Sequence, residues 1–113
     1  MIMRSHGSQL DAFGFVLAAK NLVENRLPVM FMYHEPGDGA YSGWCFFSGT
    51  EDQAYCDNPD NIGVYDISTV IKIDSSVTPY LDSPVWSAFE RMSPDSPFSR
   101  CDFGFVPEDE NKH

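Results

Sequence analysis

The sequence predicts an α+β domain, a mostly antiparallel β-sheet with short helices packed on it. Three observations lead there: strand-like apolar runs outnumber helical ones, the helical runs are too short to form a layer alone, and residues 28–47 read as a local hairpin. The first run, "FGFVLAA" at 13–19, is a buried strand that passes at 20–25 into a short helical turn. A second strand, 28–34, opens on Pro28, where a missing N–H is tolerated. Turn residues at 35–43 join it to "WCFF" at 44–47, and folding symmetrically about Gly39 sets His34 opposite Trp44. Thr50 is the expected N-cap of an acid-rich helical segment that breaks at Pro59. A short strand at 62–66 follows. Asp66 then caps a helix at 67–73, where Ile67, Val70 and Ile71 fall at helical spacing. After a turn at 82–84 comes an alternating strand, with Val85, Ser87 and Phe89 on one side and Trp86, Ala88 and Glu90 on the other. Residues 93–97 read as a loop and 101–106 as an edge strand.

The stretch "SGWCFFSG" at 42–49 poses the main question. In a strand, Trp44 and Phe46 face one way and Cys45 and Phe47 the other, so both faces are apolar. Such a strand is either covered on both sides or carries a docking surface on its second face. The expectation is that Trp44 and Phe46 lie in the core, while the acidic turns on either side form the exposed functional surface.

A chain of 113 residues fits one domain and buries about 65% of the surface its unfolded form exposes. Residues 1–11 read as a flexible N-terminus, 12–106 as the folded domain and 107–113 as a polar tail. With 42% hydrophobic residues and negative mean hydropathy the chain is globular, and no run approaches the ~18 apolar residues of a membrane span. Cys45, Cys56 and Cys101 have no metal or disulfide spacing, so a reducing cytoplasm is the expected compartment.

The net charge is −10, which argues against nucleic acid as a partner, since that binding rests on basic side chains. Nothing in the pattern calls for a membrane partner either. Every Asp, Glu, Lys or Arg between Arg26 and Lys72 is acidic: Glu35, Asp38, Glu51, Asp52, Asp57, Asp60 and Asp66. Such a run is either a solvated face or a surface complementary to a basic partner. The candidate partner-binding residues are Glu35, Asp38, Tyr41, Glu51, Asp52, Tyr55, Asp57 and Asp60. Reversing Glu51 and Asp52 to Lys is the natural probe, expected to weaken capture and leave the fold intact.

Catalytic chemistry is not expected. No phosphate-binding glycine loop, HExxH or GxSxG occurs. "DNPDNIG" at 57–63 supplies oxygen ligands, but Pro59 takes a ligand position of a calcium loop and the closing Glu is missing. A Cys45/His34 pair is off by one residue, which reverses the face. No catalytic residue, metal or cofactor is assigned.

"PVMFMYHEP", "SGWCFFSG", "DNPDNIGVYDISTVIKID" and "LDSPVWSAFER", in that order from about Phe15 to Arg91, resemble the immunity proteins of bacterial polymorphic-toxin systems, immunity family thirty-three, once listed as a domain of unknown function. Cys45 and Trp86 depart from the family pattern, and residues 93–113 lie beyond the resemblance. The resemblance implies a cytoplasmic antidote that binds a cognate toxin and blocks it without catalysis. The alternative is a stand-alone ligand-binding or regulatory domain that uses the second sheet face. A small hydrolase built around His34 or Cys45 is the third reading.

Overall fold

The computed structural model describes residues 14–101. The expected N-terminus 1–11, tail 107–113, and residues 12–13 and 102–106 of the domain lie outside the described residues. In chain order the elements are β1 (Phe15–Ala19), α1 (Lys20–Glu24), β2 (Phe31–His34), β3 (Tyr41–Phe47), α2 (Gln53–Asp57), a 3-10 turn (Pro59–Asn61), β4 (Ile62–Asp66), α3 (Ile67–Ile73), a 3-10 helix (Ser75–Tyr80), β5 (Ala88–Glu90) and β6 (Ser99–Cys101). The strands form one sheet in the order β4-β1-β3-β2-β5-β6. Its pairs are antiparallel except β1 with β3, so the sheet is mixed but mostly antiparallel and the fold is α+β.

The hairpin register is the symmetric one, with His34 opposite Trp44 and Tyr33 opposite Cys45. That register fixes which side chains share a face. Trp44 and Phe46 join Val16, Met32 and Phe89 in the core. Leu22 of α1, Ile67 and Val70 of α3, and Val77 and Leu81 around the 3-10 helix belong to the same cluster, so the helical layer covers this face. Trp44 and Phe46 are 1% and 0% exposed and stack at 6.0 Å, which meets the expectation for them. Asp66 caps α3 as expected, its carboxylate accepting from Ser68 N at 2.9 Å.

Five boundaries differ from the sequence reading, the first being β3, which begins at Tyr41 rather than at Trp44. The N-cap of α2 is Asp52, whose carboxylate accepts from Tyr55 N at 2.8 Å. Thr50 instead holds the preceding turn, its hydroxyl bonded to Ser48 Oγ and to Asn21 Nδ2. The strand expected over 28–34 is confined to Phe31–His34. Val29 N donates to Asp74 Oδ2 and Val29 O accepts from Arg91 Nε, so side chains take the ladder's place there. The strand expected over 85–90 keeps only Ala88–Glu90, because Trp86 adopts φ 77° while its N–H bonds His34 O. The edge strand begins earlier than expected, at Ser99.

A side-chain staple ties the helical layer to the sheet. Arg91 is buried, and its guanidinium donates to Asp74 Oδ2 at 2.6 Å, Val29 O at 2.9 Å, Ser76 Oγ at 3.2 Å and Ser96 O at 3.4 Å while lying 4.2 Å from the Phe98 ring centroid. Burial works to raise the Asp74 pKa, but hydrogen bonds from Ser76 and Val29 and the Arg91 charge outweigh it and hold the carboxyl below its ordinary range.

Candidate functional site

The second face of the sheet is not covered by the helical layer. Leu17, Cys45 and Tyr33 form one row across β1, β3 and β2, and Phe47 and Phe31 form the next. They floor an open groove of about 830 Å³ that is walled by Gly49, Glu51, Gln53, Cys56, Asp57, Pro59 and Ile62. The two-sided apolarity of 44–47 therefore has two causes: one face is core and the other is the floor of this groove.

Three aromatic rings make most of that floor. Phe31, Tyr33 and Phe47 lie 5.9, 6.1 and 6.0 Å apart, centroid to centroid, and each is partly exposed. They come together because β2 and β3 pair Phe31 directly with Phe47, and Tyr33 follows Phe31 by two residues on the same face.

The wall descends from a tight turn after β3. Gly49 has φ 87°, which a side chain resists, and Glu51 folds back to accept from Ser48 N at 3.0 Å, Ser48 Oγ at 2.7 Å and Gly49 N at 2.9 Å. Asp52 then starts α2, and Tyr55 anchors it by accepting from Asn21 N at 3.1 Å. Asn58 caps the following 3-10 turn, its side chain accepting from Asp60 N at 3.0 Å. The turn residues of "DNPDN" thus shape the wall. Asp57 and Asp60 are exposed, and Asp57 Oδ1 accepts from Gln53 Nε2 at 2.8 Å.

The remaining candidates sit at the opposite end of β3. Tyr41 donates to Glu35 Oε2 at 2.7 Å and lies 3.0 Å from Cys45 Sγ, while Asp38 is exposed and exchanges backbone bonds with Tyr41. A bulge makes this possible: Phe15 pairs with Tyr41 but Leu17 with Cys45, and Gly43 has φ 99°, where a Cβ would lie 1.8 Å from Glu35 O. The structure therefore divides the expected surface in two. Glu51 and Asp57 line the groove and Asp52, Tyr55 and Asp60 lie in the same 51–60 segment, while Glu35, Asp38 and Tyr41 sit at the hairpin-loop end of β3.

Cys45 is buried, as expected of a small apolar residue, but it faces the groove. Burial pushes its thiol up to about 11; hydrogen bonds from Tyr41 and Tyr33 pull the other way and Glu35 adds to the rise. The tyrosines are themselves raised, mainly by burial. A protonated thiol is a weak nucleophile. His34 lies on the opposite face, stacked on Trp44 at 4.5 Å with its ring nitrogens 2.9 Å from Ser83 O and 3.1 Å from Ser42 O. No Cys45/His34 pair forms. Among the described residues, no group of three or more His, Cys, Asp or Glu side chains is placed to hold a metal ion, and no helix is long and apolar enough to cross a membrane.

Reversal of Glu51 and Asp52, which the sequence reading expects to leave the fold intact, would remove side-chain bonds that hold it. One carboxylate holds the Ser48–Gly49 turn and the other caps α2, so Asp57 and Asp60 are the better probes. The sequence reading missed Leu17, Phe31, Tyr33 and Phe47 as groove residues; their signal was the apolar second face of 44–47, which could not say what covered it.

The family model described as the immunity protein Imm33 domain matches residues 16–102. The match runs past Arg91 and so takes in β6 as well. Among curated proteins and among solved structures, nothing matches the chain.

Proposed function

The chain belongs to the Imm33 immunity protein family, and we propose that it binds and neutralises a cognate bacterial toxin protein, in the cytoplasm and without catalysis of its own. The observation that carries this reading beyond the family is that Glu51 and Asp57 line an aromatic groove, with Asp52 and Asp60 exposed in the same segment that walls it. Exposed carboxylates steer a basic surface during encounter, and half-buried aromatic rings slow its departure once docked. A toxin that acts on nucleic acid needs a basic cleft for its substrate, which would suit this wall.

The test uses a candidate toxin sought among the products of the genes adjacent to this one. Changing Asp57→Lys and Asp60→Lys together is expected to slow association about tenfold at low salt, with stability altered by less than about 0.5 kcal/mol. The difference from the unaltered protein should shrink as salt rises, because screening acts over about 8 Å at physiological ionic strength. Cells expressing the toxin should lose protection. Equal association rates across the salt series, with full protection, would show that the wall is only a solvated face.

The groove volume also suits a small ligand, which favours the alternative of a stand-alone binding domain. A melting temperature raised by a metabolite library and unmoved by the toxin would select that reading.

A further inference from the structure

Resting on the reading that the partner is a toxin, we propose that the groove receives an arginine or lysine side chain of that toxin, its stem along Phe31, Tyr33 and Phe47 and its cationic head at Glu51 and Asp57. The lining combines two chemistries that few groups satisfy together. The floor offers three rings about 6 Å apart, close enough for one side chain to touch more than one of them. Among the described residues, the charged groups of the lining are Glu51 and Asp57, both acidic, and the segment from 27 to 71 that supplies the floor from Phe31 on and the wall contains no Lys or Arg.

Each other occupant leaves one of these features unused or opposed. An anion is repelled by the wall. An apolar side chain covers the rings but displaces water from carboxylates without replacing its hydrogen bonds. A small neutral polar group makes little use of the aromatic floor. A long side chain ending in a cation satisfies both, because Lys and Arg lay their methylenes on apolar surface while the head stays polar, and a cation over an aromatic face gains further attraction. Arginine suits the site better than lysine. Its planar head stacks on rings and presents paired donors to carboxylates. The fixed orientation of Glu51, held by Ser48 and Gly49, means that one acceptor is positioned before anything arrives.

The test has two arms. In the first, the protein is titrated by NMR with N-acetyl-arginine methylamide and, separately, with the uncharged isostere N-acetyl-citrulline methylamide. The arginine probe is expected to shift the resonances of Phe31, Tyr33 and Phe47 several-fold more than the citrulline probe, and the excess should fall in Asp57→Asn. Equal shifts from the two probes, or shifts centred elsewhere, would overturn the proposal. In the second arm, Phe47→Leu keeps apolar volume but removes a ring, and is expected to speed dissociation from the cognate toxin about tenfold while the protein melts close to the unaltered chain. Asp57→Asn, at an exposed position, should slow association. Both variants binding like the unaltered protein would overturn the proposal while leaving the immunity reading standing. A toxin that the unaltered protein neither binds nor resists defeats the immunity reading, and the first arm then decides the groove chemistry alone.

Discussion

Replacing Arg91 by Met is expected to destabilise the domain by about 3–5 kcal/mol, because it leaves Asp74 partly buried without its cation. The side chains of Arg91 and Asp74 are 3% and 12% exposed, so solvent does little to screen the pair. More than one bond goes with the guanidinium. Val29 O loses its side-chain donor, and the ties to Ser76 and to Ser96 in the loop before β6 are released together. These contacts join the start of β2 to the end of α3, which is why the loss should be global. Chemical denaturation gives the midpoint shift, and a cost under about 1 kcal/mol would mean that the staple is dispensable.

The same pair sets an acid limit. The folded-state pKa of Asp74 lies below its ordinary value of 3.8, so its contribution is present above that value and is lost as pH falls through the folded pKa. In Arg91→Met the Arg91 charge no longer holds the carboxyl down, and this part of the acid dependence should weaken. Adding Asp74→Leu to Arg91→Met should recover part of the loss, since a buried pair replaced by apolar groups on both sides strands no charge.

How much of this was legible in the sequence depends on the range of the interaction. The cap at Asp66, the strand at 62–66 and the register of His34 against Trp44 follow from neighbours within a few residues, and the structure has them as read. The strand starts at Pro28 and Val85 were misread because distant groups override the local pattern. Asp74 and Arg91 claim the backbone of Val29, and the turn at Pro84–Ser87 forces Trp86 to positive φ. The acids of the candidate surface can be listed from the sequence, but their geometry cannot. Nothing local says that Glu51 turns back onto Ser48, or that Glu35 is tied to Tyr41 at the far end of the same strand. The apolar second face of 44–47 was visible; that it stays partly open is a property of where α2 is placed.

Phe46→Ala is expected to cost about 3–5 kcal/mol, whereas Phe47→Leu, one residue on, should cost less than about 1.5 kcal/mol. Adjacent residues of the same type differ this much because strand geometry sends them to opposite faces. Phe46 is fully buried, paired with Met32 and Ala18 and stacked on Trp44, so truncation opens a cavity that the surrounding strands and helices cannot close. Phe47 is half-buried on the groove floor, where water or a partner can reach it. In an equilibrium melt the first variant should lose much of its stability, and near physiological temperature it should fail in any assay through loss of folded protein. The second should melt close to the unaltered chain and fail, if it fails, only in binding. Comparable destabilisation by both would mean that the outer face is packed as tightly as the core, and a destabilised Phe47→Leu with a tolerant Phe46→Ala would reverse the assignment of the two faces.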